Sequence, residues 1–346
     1  MKAESIADRW IETEKPATYH GWPTLINAGD DRLMLVCSGN RQGHICPFGR
    51  VYLYTSEDGG KTWSTPVRLS RGPLDDRDAG IIKAQDGSLL VNYFTSIRFL
   101  ESPDQPPAWE AVEEKTTLAD LKREHGFFMV RSTDGGKTWS EKYAVPVNNV
   151  HGPALLNDGS LLWVGREIGN AILQAKKGKR NIAVRSTDNG LTWQFVSELP
   201  VVPGQLATDW HEFHAVQADD GSIIAQFRNH TEPEIATWQT ESRDGGLSWT
   251  VPHYLCYGFP THLLNLHDGR ILMVYGYRKE PYGNRFRISS DNGKSWSCEA
   301  ILSDDGEDWD LGYPSSALLS DGSIVTAWYQ SRNGIASLRV KQWRLA

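Results

Sequence analysis

The chain has 346 residues, a formal net charge of −7 and an isoelectric point of about 5.8. This acidic balance argues against nucleic acid or an anionic membrane as the partner. No apolar run is long enough to span a bilayer, and the N-terminal stretch MKAESIADRWIETEKP lacks the apolar core of a signal peptide. The sequence therefore predicts a cytoplasmic protein, or a secreted one from which the signal has been removed.

One eight-residue turn, first written SEDGGKTW, recurs along the chain. Its five copies occupy residues 56–63, 132–139, 186–193, 242–249 and 289–296. Asp-Gly and Asn-Gly pairs supply the positive-φ positions of a tight turn, and the Asp carboxylate can accept backbone N–H bonds across it. Calcium binding is disfavoured because each copy offers one carboxylate where a calcium loop needs several oxygen ligands. Five copies of this repeated turn predict an array of one structural unit.

A second signal, an Asp-Gly turn between two apolar runs, alternates with the repeated turn. Examples are IIKAQDGSLLVNYF, ALLNDGSLLWVG and SALLSDGSIVTAWY. Together the two turns predict a four-stranded meander, and six such units predict an all-β, six-bladed β-propeller of four-stranded antiparallel blades. The N-terminal stretch around residues 6–13 is expected to close the ring. We expect one domain over residues 1–346, with an insertion at about 96–126 in blade two that is helical through 117–124.

The order of strands in a meander also predicts where a site lies. Repeated turns and Asp-Gly turns share one edge of each sheet, so the other loops share the opposite edge. Acids, bases and arginines gather in those other loops, which describes a small-molecule site. The candidate residues are Arg41, His44, Asp76, Arg77, Asp78, His151, Arg166, Asp209, His211, Glu212, Arg228, Arg278, Arg285 and Tyr313.

The repeated turns resemble the Asp boxes of the sialidase superfamily over nearly the whole chain. GYPSSALLSDGSIVTAWYQ is similar to the segment that holds the tyrosine nucleophile of that family, which implies that role for Tyr313. HEFHAVQADDGSIIAQFR resembles the segment with a Glu and a substrate arginine, and it implies Glu212 as the base and Arg228 as a clamp residue. YGNRFRISSDNG resembles the approach to another substrate arginine, best matched by Arg285, with Arg278 as an outside candidate.

Two departures from the family pattern fall in its first blade. The family has an Arg-Ile-Pro-like motif where this chain reads HGWP, and its acid/base Asp lies in a loop that here reads SGNRQGHICPFG, without a carboxylate. His44 is the residue of that loop best suited to acid-base chemistry, and Arg41 could replace the clamp arginine. Alternatively, Asp76 or Asp78 supplies the acid and Arg77 the clamp.

The leading functional hypothesis is an exo-acting retaining glycoside hydrolase of sialidase type, acting on a terminal acidic sugar of a glycan. The resemblance implies no metal or organic cofactor. A second hypothesis is a histidine-based glycosidase or polysaccharide lyase on uronic-acid glycans, using His44, His151 or His211. A third is a non-catalytic glycan-binding propeller. Arg166 and Asp209 are further expected substrate contacts, and the insertion at 96–126 could be a lid, a specificity wall or an oligomer contact.

Overall fold

The protein is described by a computed structural model that covers residues 1–13, 18–101, 109, 112, 115–167, 180–231 and 233–346. Half of the structure, 50%, is strand and 5% is helix, so the all-β prediction is confirmed. Gly and Asp at the turns and β-branched or aromatic residues between them account for this balance.

Twenty-five strands follow one another along the described part of the chain. In order they are β1 (Ala3–Trp10), β2 (Tyr19–Asn27), β3 (Leu33–Arg41), β4 (Arg50–Ser56), β5 (Val67–Arg68), β6 (Asp75–Lys83), β7 (Leu89–Ser96), β8 (Phe127–Ser132), β9 (Tyr143–Ala144), β10 (Val147–Asn148), β11 (Ala154–Leu155), β12 (Leu161–Glu167), β13 (Asn181–Ser186), β14 (Gln194–Glu198), β15 (Trp210–Gln217), β16 (Ile223–Asn229), β17 (Ala236–Ser242), β18 (His253–Cys256), β19 (Thr261–Asn265), β20 (Ile271–Tyr277), β21 (Gly283–Ser289), β22 (Ala300–Ser303), β23 (Gly312–Leu318), β24 (Ile324–Arg332) and β25 (Ile335–Leu345). Short 3₁₀ helices lie at Arg98–Glu101 and Ala207–Asp209, and helix α1 spans Leu118–Glu124.

These strands form five sheets in a β-propeller arrangement. Four sheets are single blades of four or five strands: β6–β9, β10–β14, β15–β18 and β19–β22. The other eight strands form one sheet in the order β23-β24-β25-β2-β3-β4-β5, with β1 paired to β25. The prediction of six separate four-stranded blades is therefore not met, because a parallel pair between Tyr19 and Ala336 joins β2 to β25.

The first strand of the chain pairs with the last. β1 runs antiparallel to β25 from the Ala3–Leu345 pair to the Trp10–Arg339 pair. The sequence had placed this strand at about residues 6–13, so the observed strand begins earlier and ends earlier. The N- and C-terminal strands thereby share one sheet.

The repeated turns are held by the hydrogen bonds that their sequence predicts. In the third copy, the Asp188 carboxylate accepts bonds from the Ser186 hydroxyl at 2.7 Å, the Thr192 hydroxyl at 2.5 Å and the Thr192 N–H at 2.9 Å. The Ser186 hydroxyl oxygen in turn accepts the Gly190 N–H at 2.8 Å. The other copies repeat this pattern, for example around Asp58. These turns close one edge of the propeller, and the opposite edge is left for the site.

The core lies between neighbouring sheets. Met34 and Val36 of β3 pack with Ile81 of β6 and with Leu89 and Val91 of β7, all of them almost completely buried. Full burial of such a side chain contributes roughly 1.5–3 kcal/mol. This packing between neighbouring sheets holds the first strand of each sheet near the central axis of the propeller.

Only part of the predicted insertion in blade two lies within the described residues, since 102–108, 110, 111, 113 and 114 are outside them. Helix α1 occupies the predicted helical stretch, and a capping box between Thr117 and Asp120 begins it. Across the described part of the chain, we find no helix with the length and apolarity that crossing a membrane requires.

Candidate active site

Four strands, β2, β6, β15 and β23, are each interrupted at a comparable position by one residue with left-handed backbone. Trp22, Asp78, Glu212 and Tyr313 have φ values of 55°, 48°, 55° and 49°, and each falls where the strand register shifts. His151, between β10 and β11, has a φ of 75°. Such bulges re-aim a side chain, and left-handed backbone at non-glycine residues, which costs of order 1–3 kcal/mol each, gathers at functional sites.

Tyr313 and Glu212 form a hydrogen-bonded pair. The Tyr313 hydroxyl donates to Oε1 of Glu212, and Nη1 of Arg228 lies 3.3 and 3.4 Å from the two carboxylate oxygens. Burial would raise the pKa of Glu212, but the charge of Arg228 and the Tyr313 hydrogen bond hold it below its usual value. Burial, then the Glu212 charge, raises the pKa of Tyr313 well above its usual value. Tyr313 is therefore a neutral phenol that faces a carboxylate able to take its proton.

Two arginines lie beside this pair. The Arg228 guanidinium carbon is 4.3 Å from the centre of the Phe259 ring. The corresponding carbon of Arg278 is 5.3 Å from Phe259 and 5.8 Å from the centre of the Tyr313 ring. Nε of Arg228 and Nη2 of Arg278 are buried and have no hydrogen-bond partner within the described residues. Both arginines therefore keep a donor for a bound anion.

Arg285, the preferred sequence candidate on this side, is placed elsewhere. Its guanidinium donates to the carbonyl oxygens of Asn284 at 3.1 Å, Ser303 at 2.6 Å and Pro281 at 3.0 Å. These bonds hold a local loop and leave little capacity for a ligand. The structure thus corrects the sequence preference, because Arg278 and not Arg285 reaches Tyr313.

Trp22 lies between two arginines at the place where the sequence lacks the family arginine. The guanidinium carbon of Arg77 is 4.2 Å from the Trp22 ring and that of Arg41 is 4.8 Å away. Arg41 is also paired with Asp75, and both side chains are buried. Because Asp75 neutralises it, Arg41 is not the free clamp residue that the sequence suggested. Arg77 keeps a buried Nε without a partner in the described structure.

Two carboxyls in β6, the buried Asp76 and the half-buried Asp78, differ in what they face. Burial raises the pKa of both Asp76 and Asp78 to about 6. Asp76 accepts a hydrogen bond from the Thr95 hydroxyl at 3.1 Å, within its own sheet. The charge of Asp78 instead acts on the pKa of Tyr313, and the charge of Glu212 acts on Asp78. These charge interactions favour Asp78 over Asp76 as a residue of the site.

His44 belongs to a polar cluster at the edge of the same pocket. Its Nδ1 lies 3.2 Å from Oδ1 of Asp310, which also accepts a hydrogen bond from the Tyr329 hydroxyl at 2.7 Å. The Tyr19 hydroxyl donates to Oδ2 of Asp310 at 2.9 Å. Burial would raise the pKa of Asp310, but the bonds from His44 and the tyrosines lower it to about 2. With 42% of its side chain exposed and its ring centre 5.1 Å from that of Trp22, His44 faces the pocket.

Arg166, Asp209 and His211 lie together at the rim. Nη1 of Arg166 is 2.7 Å from Nδ1 of His211, and because Arg can only donate, Nδ1 must accept and the ring proton is assigned to Nε2. Burial and the Arg166 charge lower the pKa of His211 to about 3. The charge of Asp209 acts on Arg166 in turn. His211 is consequently a neutral side chain and a poor acid.

His151 does not join this pocket. It is buried with His262 and His214, whose ring centres are 5.0 and 5.4 Å from its own, beside a central cavity of about 590 Å³. Nδ1 of His214 accepts the Leu263 N–H at 2.9 Å, so the remaining nitrogen carries the proton and is not a ready metal ligand. None of the described residues form a group of three or more side chains suited to a metal ion. His151 therefore lies apart from Tyr313, and its contact with substrate stays a prediction from the sequence.

The sequence reasoning missed two residues for which a signal existed. Trp22 occupies the HGWP motif, at the position where the resemblance called for an arginine. Asp75 and Arg77 alternate with Asp76 along β6, so strand periodicity would have placed Asp75 and Asp76 on opposite faces. Neither Trp22 nor Asp75 had been given a role in the sequence analysis.

Known proteins resemble the chain throughout its length. The family model described as BNR repeat-like domain matches residues 2–206 and 114–326. A sialidase of Bacteroides fragilis is 23% identical over 317 residues, which cover 81% of this chain and 54% of that protein. A solved structure of a protein of unknown function from Dyadobacter fermentans covers 99% of both chains, with a TM-score of 0.80 and 22% identity. NanB sialidase from Streptococcus pneumoniae covers 99% of this chain and 71% of its own, with a TM-score of 0.71 and 13% identity.

The two solved structures are similar in fold, and at such identities fold does not carry function with it. The chain spans about half the length of the Bacteroides fragilis sialidase. The activity must therefore be argued from the residues of the pocket.

Proposed function

The chain belongs to the BNR repeat-like domain family and is a distant member of the sialidase superfamily, and we propose that it is an exo-acting retaining glycosidase of sialidase type. Its substrate would be a glycan that ends in an acidic sugar. The observation that carries the proposal is the partly buried hydrogen bond from the Tyr313 hydroxyl to Glu212, with Arg228 and Arg278 beside it. A binding module has no need of a phenol paired with a base.

The reaction explains why a tyrosine serves as the nucleophile. A sialic acid carries a carboxylate on its anomeric carbon, which would repel an anionic Asp or Glu nucleophile. In the proposed first step, the Tyr313 oxygen bonds to the anomeric carbon while its proton passes to Glu212. The bond to the leaving oxygen breaks, and that oxygen takes a proton from an acid. Water then cleaves the glycosyl-tyrosine and Glu212 returns its proton, so the anomeric configuration is retained.

Three arginines are proposed to hold the substrate carboxylate. Arg228 and Arg278 flank Tyr313, and Arg77 is close enough for the Tyr313 charge to act on its pKa. Each of the three has a buried nitrogen without a partner among the described residues, which is a donor set suited to a carboxylate. Arg77 would thus replace the arginine that HGWP lacks.

Asp78 is the proposed general acid. A pKa raised to about 6 by burial keeps a useful share of it protonated near neutral pH, whereas Glu212 stays ionised. Two carboxyls whose surroundings separate their pKa values in this way can serve as acid and base in one site. After the first step, Asp78 as a carboxylate would take the proton of the attacking water.

A second candidate function rests on His44. Its contact with Asp310 orients an exposed imidazole toward the pocket, as a histidine-based glycosidase or lyase on uronic-acid glycans would need. His151 and His211 give this reading less support, because His151 lies by the central cavity and His211 accepts from Arg166. In this case Tyr313 would be dispensable.

We also propose that the eight-stranded sheet is two blades, β2–β5 and β23–β25 with β1, so that the propeller has six. A single residue pair links β2 to β25, whereas β1 and β25 share a full ladder. On this interpretation the N-terminal strand closes the ring.

The test compares a fluorogenic sialoside with a fluorogenic uronide. Tyr313→Phe keeps the ring and removes the hydroxyl, and we expect sialoside turnover to fall on the order of 10³-fold or more. Tyr254→Phe is the matched control, since Tyr254 is 52% exposed. The opposite outcome has two parts: the wild type does not cleave the sialoside, and both the wild type and Tyr313→Phe cleave the uronide. That result would refute the proposal in favour of the histidine-based alternative.

A further inference from the structure

A cavity of about 810 Å³ adjoins the proposed active site on the side of the β6–β9 sheet. His44 and Arg77 line it together with residues of β7, β8, helix α1 and the end of β12. Arg77 contacts Trp22, whose ring centre is 6.4 Å from that of Tyr313. His44 and Arg77 therefore belong both to the wall of the cavity and to the proposed active site, and the cavity lies next to the place where the terminal sugar would bind.

The charged side chains that line this cavity are positive. Among the residues that the structure describes, its lining includes five Arg and Lys side chains and no Asp or Glu, although the chain as a whole has a net charge of −7. The five are Arg77, Arg98, Lys122, Arg123 and Arg166. A cleft lined by one sign of charge concentrates ligands of the other sign.

Not all of these cations are available. Arg123 donates to Asp120 and Glu124, each at 2.7 Å, and is therefore neutralised within helix α1 and its C-terminal turn. Arg98 and Lys122 are exposed and form no ion pair with any residue that the structure describes. Arg166 contacts the neutral ring of His211 and keeps a buried Nε without a described partner. Three unpaired cations thus face one cavity.

Aromatic rings provide the apolar part of the wall. Phe94 and Phe127 meet edge to face with ring centres 6.4 Å apart, and Phe128 lies beside them in the lining. Such rings suit the apolar faces of a sugar, and the cations suit its charged substituents.

We propose that this cavity is a leaving-group subsite that selects glycans whose penultimate sugar carries a negative charge, as a carboxylate or a sulfate. The inference rests on the proposed function, because the terminal sugar must occupy the side of Arg77 that faces Tyr313. Arg98, Lys122 and Arg166 then bind the second anionic group.

The test uses three sialosides: 3′-sialyllactose, the same trisaccharide sulfated on its penultimate sugar, and a disialyl-lactose. The wild type should have a higher kcat/KM on the sulfated or disialyl substrate, and that preference should shrink as salt is added. Arg98→Ala and Lys122→Ala should each reduce the ratio of anionic to neutral kcat/KM by about two- to five-fold. Lys61→Ala, a lysine of the first repeated turn at the opposite edge, should leave the ratio unchanged.

Equal kcat/KM on all three substrates, or a ratio unaffected by Arg98→Ala and Lys122→Ala together, would overturn the subsite while leaving the glycosidase in place. A preference for only the sulfated or only the disialyl substrate would assign the anion. If no sialoside is cleaved, calorimetric binding of sulfated lactose against lactose separates the two claims. Selective binding of sulfated lactose that weakens in Lys122→Ala would support the anion-binding subsite but not the sialidase-type activity. Equal binding of the two sugars would refute both the subsite and the activity.

Discussion

Asp78 gives the sharpest test of the proposed chemistry, through the pH dependence of kcat/KM. Its pKa in the free protein is raised to about 6 by burial, and only the protonated form can act as the acid. Above this pKa the protonated fraction falls about tenfold per pH unit, so about one part in 100 remains at pH 8. Because about half of Asp78 is protonated at pH 6, we expect kcat/KM on 3′-sialyllactose to fall about 50-fold between pH 6 and pH 8.

Asp78→Asn removes the proton without changing the size of the side chain. On 3′-sialyllactose the loss at pH 6 should be about 10²- to 10⁴-fold, the usual range for a general acid. The alkaline fall should disappear in this variant, and a nitrophenyl sialoside should lose less activity because its leaving group needs little protonation. An unchanged alkaline fall in Asp78→Asn that vanishes in His44→Gln would refute the assignment and identify His44 as the acid.

Three further predictions concern stability. Arg41→Met leaves the buried Asp75 charge unpaired and should destabilise the fold by about 3–5 kcal/mol in urea denaturation at pH 7. Burial lowers the pKa of His214 to about 3, so the unfolded chain binds the proton first and stability falls as the pH drops below about 6.5. His214→Gln should remove about 2 kcal/mol of the stability lost by the wild type between pH 6.5 and pH 5. Asp188→Ala deletes three hydrogen bonds of a repeated turn and should cost about 1–2 kcal/mol, seen as a lower Tm.

Each of these predictions has its own control. Adding Asp75→Asn to Arg41→Met should restore part of the lost stability, and no restoration would contradict the pairing. A His214→Gln protein with the wild-type pH slope would show that His214 is not neutral in the folded state. Asp188→Asn keeps one acceptor oxygen and should lie between the wild type and Asp188→Ala. If both Asp188 variants unfold like the wild type, the turn does not depend on its carboxylate.

The repeated turns were predictable because every bond partner lies within eight residues. Asp188 meets Ser186 and Thr192 inside one loop, so the sequence contains the whole interaction. The Tyr313–Glu212 contact came from resemblance, since 101 residues separate its members and no local pattern implies it.

Other parts of the site depend on tertiary structure. Alternation along a strand would place Asp76 and Asp78 on one face, but the register shift between Arg77 and Gly80 separates them. Likewise, the Tyr19–Ala336 pair that merges strands into one eight-stranded sheet joins residues far apart in the chain. Nothing near either residue in the sequence predicts that contact.

The left-handed backbone at the pocket has a consequence for substitution at these positions. Trp22, Asp78, Glu212 and Tyr313 occupy comparable interruptions of strands β2, β6, β15 and β23, and their side chains range from aromatic rings to carboxylates. Side chains along a regular strand point alternately to its two faces and pack between the sheets. A residue at such an interruption does not follow this alternation. Replacing it therefore changes the chemistry while the scaffold persists. The chemistry of the pocket therefore depends on which side chain stands at each of these few positions, and the packing of the sheets does not.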